Sequence, residues 1–143
     1  MKKKVILIMG LPGSGKTFLA KKIVKYLKAQ WLNADKVRGK YNDWDFSRKG
    51  ILRQVKRMKK LSDKSLKKYV VADFVCPIKD QMKIFNPDFV IWMDTIKRGR
   101  FKNMNKIFKK PVKYDLKIKE KNLRKNFSVF KKKFFAIKQT KSI

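Results

Sequence analysis

An apolar run, Lys4-Val5-Ile6-Leu7-Ile8-Met9, leads straight into Gly10-Leu11-Pro12-Gly13-Ser14-Gly15-Lys16-Thr17, and a helical pattern follows. This is G-x-x-x-x-G-K-T between a strand and a helix, the context in which that spacing forms a phosphate-binding loop. The glycines let the backbone curl so that its N–H groups converge on phosphate oxygens. Lys16 is placed to reach the β- and γ-phosphates, and the Thr17 hydroxyl to ligate Mg²⁺. Residues 10–17 are therefore the expected nucleotide cradle, with ATP and Mg²⁺ as the expected cofactors.

The rest of the chain alternates strand and helix patterns. Val5–Met9 is uniformly apolar, as a central parallel strand buried on both faces must be. A helix is expected from Thr17 to about Ala29, with Leu19, Ala20, Ile23, Val24 and Leu27 on one stripe. Trp31–Leu32 reads as a short second strand and Ala34 to Phe46 as a polar loop. Ser47 is placed to cap a helix to about Leu61 carrying Ile51, Leu52, Val55 and Met58. Tyr69–Phe74 and Phe89–Met93 read as further strands. A short helix to about Phe85 and the turn Asn86-Pro87-Asp88 lie between them. Thr95 to Pro111 shows no clean period. Tyr114, Leu116 and Ile118 alternate as a short fifth strand, and a last helix spans about Lys119 to Gln139. Its apolar residues, Leu123, Phe127, Phe130, Phe134 and Ile137, recur at four-three spacing, as a core-facing stripe does. Successive βα units with right-handed crossovers predict an α/β, three-layer sandwich with a parallel sheet of about five strands. The nucleotide would then sit at the carboxyl ends of the strands.

With 143 residues the chain is sized for one domain, so residues 1–143 are expected to form a single unit with a lid segment at about 95–112. No apolar run reaches membrane-spanning length and no signal peptide is read. The single cysteine, Cys76, excludes an internal disulfide and fits a reducing cytoplasm. Without histidine, a zinc site is not expected. The formal net charge of +31 admits two readings. A basic surface gathers nucleic-acid phosphates. Alternatively, Lys, Ile, Asn and Phe all have AT-rich codons, and the lysines are scattered along the chain. The second reading leaves nucleic-acid contact non-specific. Oligomeric state is not legible.

Behind the phosphate loop, Asn33-Ala34-Asp35-Lys36-Val37-Arg38 follows the second strand. Asp35 is a candidate to hold Mg²⁺ through water or to take a proton from an attacking hydroxyl. Arg38 is a candidate to grip an anionic acceptor bidentately. Asp73 ends the run Tyr69-Val70-Val71-Ala72-Asp73 and either holds the Mg²⁺ water shell or caps the following turn.

At these residues the chain resembles the adenylylsulfate (APS) kinase family. Leu32-Asn33-Ala34-Asp35-Lys36-Val37-Arg38 stands against that family's L-D-G-D-x-V-R. Tyr41-Asn42-Asp43-Trp44-Asp45-Phe46-Ser47 stands against L-N-x-D-L-G-F-S, Val75-Cys76-Pro77 against I-S-P, and Asp94-Thr95 against D-T. Gly99-Arg100-Phe101 falls in the lid region, and the resemblance spans roughly residues 4–115. Asn33 replaces an aspartate, Ile51 an arginine, Arg53-Gln54 a Glu-Asn pair and Cys76 a serine, and the lid lacks F-T-G-I-D. The resemblance implies transfer of the ATP γ-phosphoryl group to the 3′-hydroxyl of adenylylsulfate. Lys16 and Asp35 would be catalytic, and Thr17, Asp35 and Asp73 would hold the metal. Arg38, Asn42, Phe46, Arg53 and Arg100 would bind the acceptor, Phe46 or Phe74 stacking on its adenine, and Arg98 sharing the lid with Arg100. A kinase of another hydroxyl, such as a polynucleotide 5′-end, and a non-catalytic nucleotide- or RNA-binding module are the competing readings.

Overall fold

A computed structural model describes residues 2–141, with side chains to residue 136. Five strands, β1 (Lys4–Met9), β2 (Gln30–Asn33), β3 (Tyr69–Asp73), β4 (Phe89–Met93) and β5 (Leu116–Ile118), form one sheet in the order β2-β3-β1-β4-β5. Every pairing is parallel, so the expected α/β sandwich is the architecture found. The connections carry α1 (Lys16–Leu27), α2 (Ala34–Tyr41), α3 (Arg48–Lys64), α4 (Lys79–Phe85) and α5 (Lys102–Ile107), and α6 (Leu123–Lys141) ends the chain.

The pleat of β1 explains why Val5–Met9 is apolar without a break. Ile6 and Ile8 join Leu19, Ala20 and Ile23 of α1 and Phe130 and Phe134 of α6 on one face. Val5, Leu7 and Met9 join Val55 and Met58 of α3 and Phe85 of α4 on the other. Both faces are covered by helices, so neither can carry polar side chains. Phe89 holds the α6 layer, meeting Phe130 and Phe134 edge-on at 5.8 and 5.4 Å. Ile137, expected on the same stripe, lies outside the residues whose side chains are described. Among the described residues no helix is long and apolar enough to cross a membrane.

Two segments depart from the sequence expectation. The stretch read as a loop from Ala34 to Phe46 begins with helix α2. Its N-cap is Asn33, whose Oδ1 accepts the Lys36 N–H at 3.0 Å, the arrangement that favours Asn at this position. It stops at Asn42, which adopts φ 49° and donates its N–H to the Arg38 carbonyl, a common left-handed C-cap. The aperiodic stretch from Thr95 to Pro111 contains α5. Elsewhere Ser47 caps α3 as expected, its Oγ accepting the Gly50 N–H at 3.2 Å, and the helix continues past Leu61 to Lys64. The fifth strand begins at Leu116, leaving Tyr114 outside it, against Trp92 at 5.5 Å.

Candidate active site

The phosphate loop follows β1 and closes on the side of β4. Gly10 adopts φ 152°, and a Cβ there would lie 2.7 Å from the Met93 carbonyl oxygen and 2.8 Å from Ser14 Oγ. No larger residue fits without moving the loop off the sheet. Gly15 adopts φ 99° and is the N-cap of α1, so no side chain occupies the first N–H groups of that helix. No acidic residue lies in its first turn. These open donors and the positive end of the helix dipole form a cradle for an anion. Lys16 folds back across the loop, donating to the carbonyls of Gly10 at 2.9 Å and Leu11 at 3.0 Å. Burial pulls its ammonium down to about 8, against the opposing pull of the Asp73 and Asp35 carboxylates. Thr17 is the second residue of α1, beside the cradle. Thr95 Oγ1 donates to the Ser14 carbonyl at 2.7 Å and ties the loop to the segment after β4.

Asp73 ends β3, paired in register with Ile8 of β1 and Asn33 of β2. Its two oxygens accept Trp31 Nε1 at 2.6 Å and Asn33 Nδ2 at 2.8 Å. Burial raises its carboxyl above the usual range, and these two donors and Lys16 oppose the rise. The arrangement accounts for Asn33. An aspartate there would face the buried Asp73 carboxylate, whereas the amide donates to it while its oxygen caps α2.

Asp35, in the first turn of α2, is exposed, and its charge acts on Lys16, Arg38 and Asp73. It also lines a pocket at the carboxyl end of the sheet. Arg38, Phe46, Gln54, Phe74, Cys76 and Gln81 share that lining. Arg38 is 5% exposed. Its Nη1 donates to the Asp43 carbonyl at 2.9 Å and the Asp45 carbonyl at 3.3 Å, and its guanidinium lies 4.3 Å over the Phe46 ring. Its other N–H groups bond to nothing among the described residues. Phe46 is 49% exposed, whereas Phe74 is buried edge-on against Phe85 at 5.3 Å. Cys76 adopts φ 55°, an uncommon conformation for a residue with a Cβ, and burial pushes its thiol up to about 12.

Lys16, Thr17, Asp35, Arg38, Phe46 and Asp73 thus gather at the carboxyl end of β1–β3. Arg53 stands apart from the pocket lining. Its guanidinium pairs with Asp43 at 2.8 Å and Asp45 at 3.1 Å, and Arg57 joins Asp43 at 3.1 Å. Asn42 serves as the exposed C-cap of α2, and Arg48 pairs with Asp80. Arg100 is exposed, stacks on Phe101 at 5.2 Å, and its charge acts on Lys16. Gln54 and Gln81 are the pocket residues that sequence reasoning missed. Both look like ordinary surface polar residues in sequence, yet they are 4% and 5% exposed.

Charge is distributed unevenly around this site. Residues 33–47 hold Lys36, Arg38 and Lys40 against Asp35, Asp43 and Asp45, so the segment flanking the pocket is neutral in a chain of +31. Residues 96–114 hold eight Lys and Arg and no acid. Among the described residues no three Asp, Glu or Cys gather into a metal cage. The donor set of Thr17, Asp35 and Asp73 suits a Mg²⁺ that keeps water and phosphate oxygens as its other ligands.

Residues 5–74 match the AAA domain family. No curated protein matches the sequence. Among solved structures, the APS kinase CysC of Mycobacterium tuberculosis in complex with AMPPNP and APS superposes with a TM-score of 0.79 at 16% identity. The match covers 93% of this chain and 98% of that one. Shikimate kinase from Aquifex aeolicus gives 0.63 at 17% identity over 95% and 97% of the two chains. A gluconokinase from Sinorhizobium meliloti gives 0.64 at 10% identity over 87% of each. The chain has the P-loop kinase fold, and the likeness to APS kinase read from its motifs is borne out in that fold.

Proposed function

We propose that this chain transfers the γ-phosphoryl group of ATP to the 3′-hydroxyl of adenylylsulfate. The observation that carries the reading is the double position of Asp35. One carboxylate lines the pocket with Arg38 and Phe46 and also acts on Lys16 of the phosphate loop. A hydroxyl in the pocket is thereby brought toward the γ-phosphate, and phosphoryl transfer depends chiefly on such positioning and on charge neutralisation.

The loop N–H groups and the α1 terminus hold the triphosphate. Lys16 leaves the carbonyls of Gly10 and Leu11 for the β/γ oxygens. Asp35 orients the acceptor hydroxyl and takes its proton. The free edge of Arg38 binds an anionic group on the acceptor, and Phe46 offers a half-exposed ring face for its base. Arg100, in the segment at about 95–112, closes over the loop as a lid residue. Thr17, Asp35 and Asp73 would hold Mg²⁺, which when bound neutralises charge on the β/γ oxygens. Arg53, with Arg57, positions the loop at residues 42–47 through Asp43 and does not itself touch the acceptor. The neutral flank of the pocket suits a small anionic nucleotide better than a polynucleotide.

ATP turnover stimulated by adenylylsulfate, compared with turnover stimulated by gluconate, shikimate or a 5′-hydroxyl oligonucleotide, tests the reading. Stimulation by adenylylsulfate is expected. Stimulation by one of the others alone contradicts it.

A further inference from the structure

Gln81 occupies the third position of α4, and its Oε1 accepts the Ile78 N–H at 3.1 Å. That bond fixes which amide atom is oxygen, because only an acceptor can face an N–H. It also holds the side chain against the helix start. The Nε2 group is left with two N–H donors and no partner among the described residues, although Gln81 is 95% buried (5% exposed) and lines the acceptor pocket. The surrounding wall is apolar, formed by Ile51, Val55, Met58, Phe74 and Met104. Gln54, the other buried amide, is already engaged, donating to the Ala34 carbonyl at 3.2 Å and accepting Arg57 Nη1 at 2.9 Å. Nε2 is open to the pocket and not sealed in the core, so it is an uncommitted donor that a ligand entering the pocket would meet.

We infer that Gln81 is a specificity-determining residue, reading a hydrogen-bond acceptor on a planar heteroaromatic ring that fills the apolar part of the pocket. This adds a specificity residue to the acceptor site and rests on the proposed phosphotransferase reading. A sugar acid or a polyol presents hydroxyls on every edge and would strand most of them against this wall. A nucleobase presents a flat apolar face with a few acceptor atoms at its rim, which matches one amide donor in an apolar slot. The free edge of Arg38 then meets the anionic end of the same molecule.

The test is calorimetric binding with the phosphate loop saturated by AMPPNP, using adenylylsulfate and ribose 5-phosphate as probes. The proteins compared are the wild type, Gln81→Glu and Gln81→Met. Gln81→Glu keeps an oxygen for the Ile78 N–H and replaces the free donors with an acceptor. Gln81→Met removes the amide without adding charge, in case the carboxylate impairs folding. The wild type is expected to bind adenylylsulfate at least about tenfold more tightly than the base-free sugar phosphate, and both variants to lose about tenfold toward adenylylsulfate only. AMPPNP affinity is expected to stay near wild type in both variants, which separates recognition from a general fault in the fold, although Gln81→Met, which loses the bond to the Ile78 N–H, is expected to melt somewhat lower. Equal affinity of wild type for the two probes, or unchanged adenylylsulfate affinity in both variants, overturns the inference. Gln81-dependent binding without phosphorylation of adenylylsulfate sustains the inference and contradicts the proposed reaction. Phosphorylation with affinity indifferent to Gln81 does the reverse.

Discussion

Asp35 and Cys76 show how differently two residues of one pocket should respond to change. Asp35→Asn keeps the shape at position 35 but cannot take a proton. Turnover is expected to fall by about 10²–10⁴, the usual loss for a general base, with little change in ATP affinity. Steady-state kinetics against both substrates measures this, and unchanged turnover with weakened ATP binding would show that Asp35 serves the nucleotide. Cys76 should be inert, because burial pushes its thiol up to about 12. Iodoacetamide at pH 8 is expected to spare the native protein and to label the urea-unfolded chain, whose thiol returns to near 8.5. Rapid labelling of the native protein would mean that the pocket opens to water far more than its packing indicates. The phosphate loop was legible residue by residue, since its chemistry fixes both spacing and residue type. Gln81 was not, because nothing local distinguishes a buried amide from an exposed one. Arg53 was legible as a cation but not as the partner of Asp43, since that pairing depends on how the loop at 42–47 folds back onto α3.

At the scale of elements, the loop at residues 42–47 is held to α3 by Asp43. Its carboxyl lies well below the usual carboxylate range, chiefly through the hydrogen bond from Arg53, with the Asp45 N–H and Arg57 adding to it. A depressed folded-state value contributes stability that is present above the unfolded value of about 3.9 and is lost as pH falls through the folded one. Asp43→Asn is therefore expected to melt below wild type at pH 7, with the gap closing as pH falls below about 4. Melting temperatures of both proteins across pH 2–7 check this, and a gap independent of pH would place the contribution elsewhere. Helix α2, which positions Asp35 and Arg38, escaped sequence reading for a definite reason. Only Val37 and Arg38 of its eight residues are buried, so it carries no apolar stripe. Its start is written in one residue, Asn33, whose polarity equally suits a site. α5 is only six residues long, too short to show a period. The strands and α1, α3 and α6 were legible because each buries a continuous face.

For the whole molecule, the charge of +31 is unevenly spread, with a neutral segment beside the pocket and an acid-free stretch at residues 96–114. Oligonucleotides are therefore expected to bind weakly, without sequence preference, and to be released as salt rises. Contacts of this kind draw their affinity from counterion release. Turnover at about 0.15 M salt, where the screening length is about 8 Å, is expected to be indifferent to added oligonucleotide. A salt-resistant complex that changes turnover, followed by fluorescence anisotropy and ATP consumption together, would contradict this. The parallel sandwich was legible because the βα alternation leaves few topologies open. The acceptor was less so, since its pocket is lined by side chains that converge from α2, α3, α4 and the segment after β3, which are far apart in sequence. The most direct measurement is therefore the destination of the phosphoryl group. The protein is incubated with γ-labelled ATP, Mg²⁺ and adenylylsulfate, and the labelled product is resolved by phosphorus NMR, with Lys16→Ala as the control. Label on the ribose 3′-oxygen, abolished in Lys16→Ala, is the expected result. Label found only on water, or on an added sugar acid or oligonucleotide 5′-end, would contradict the account.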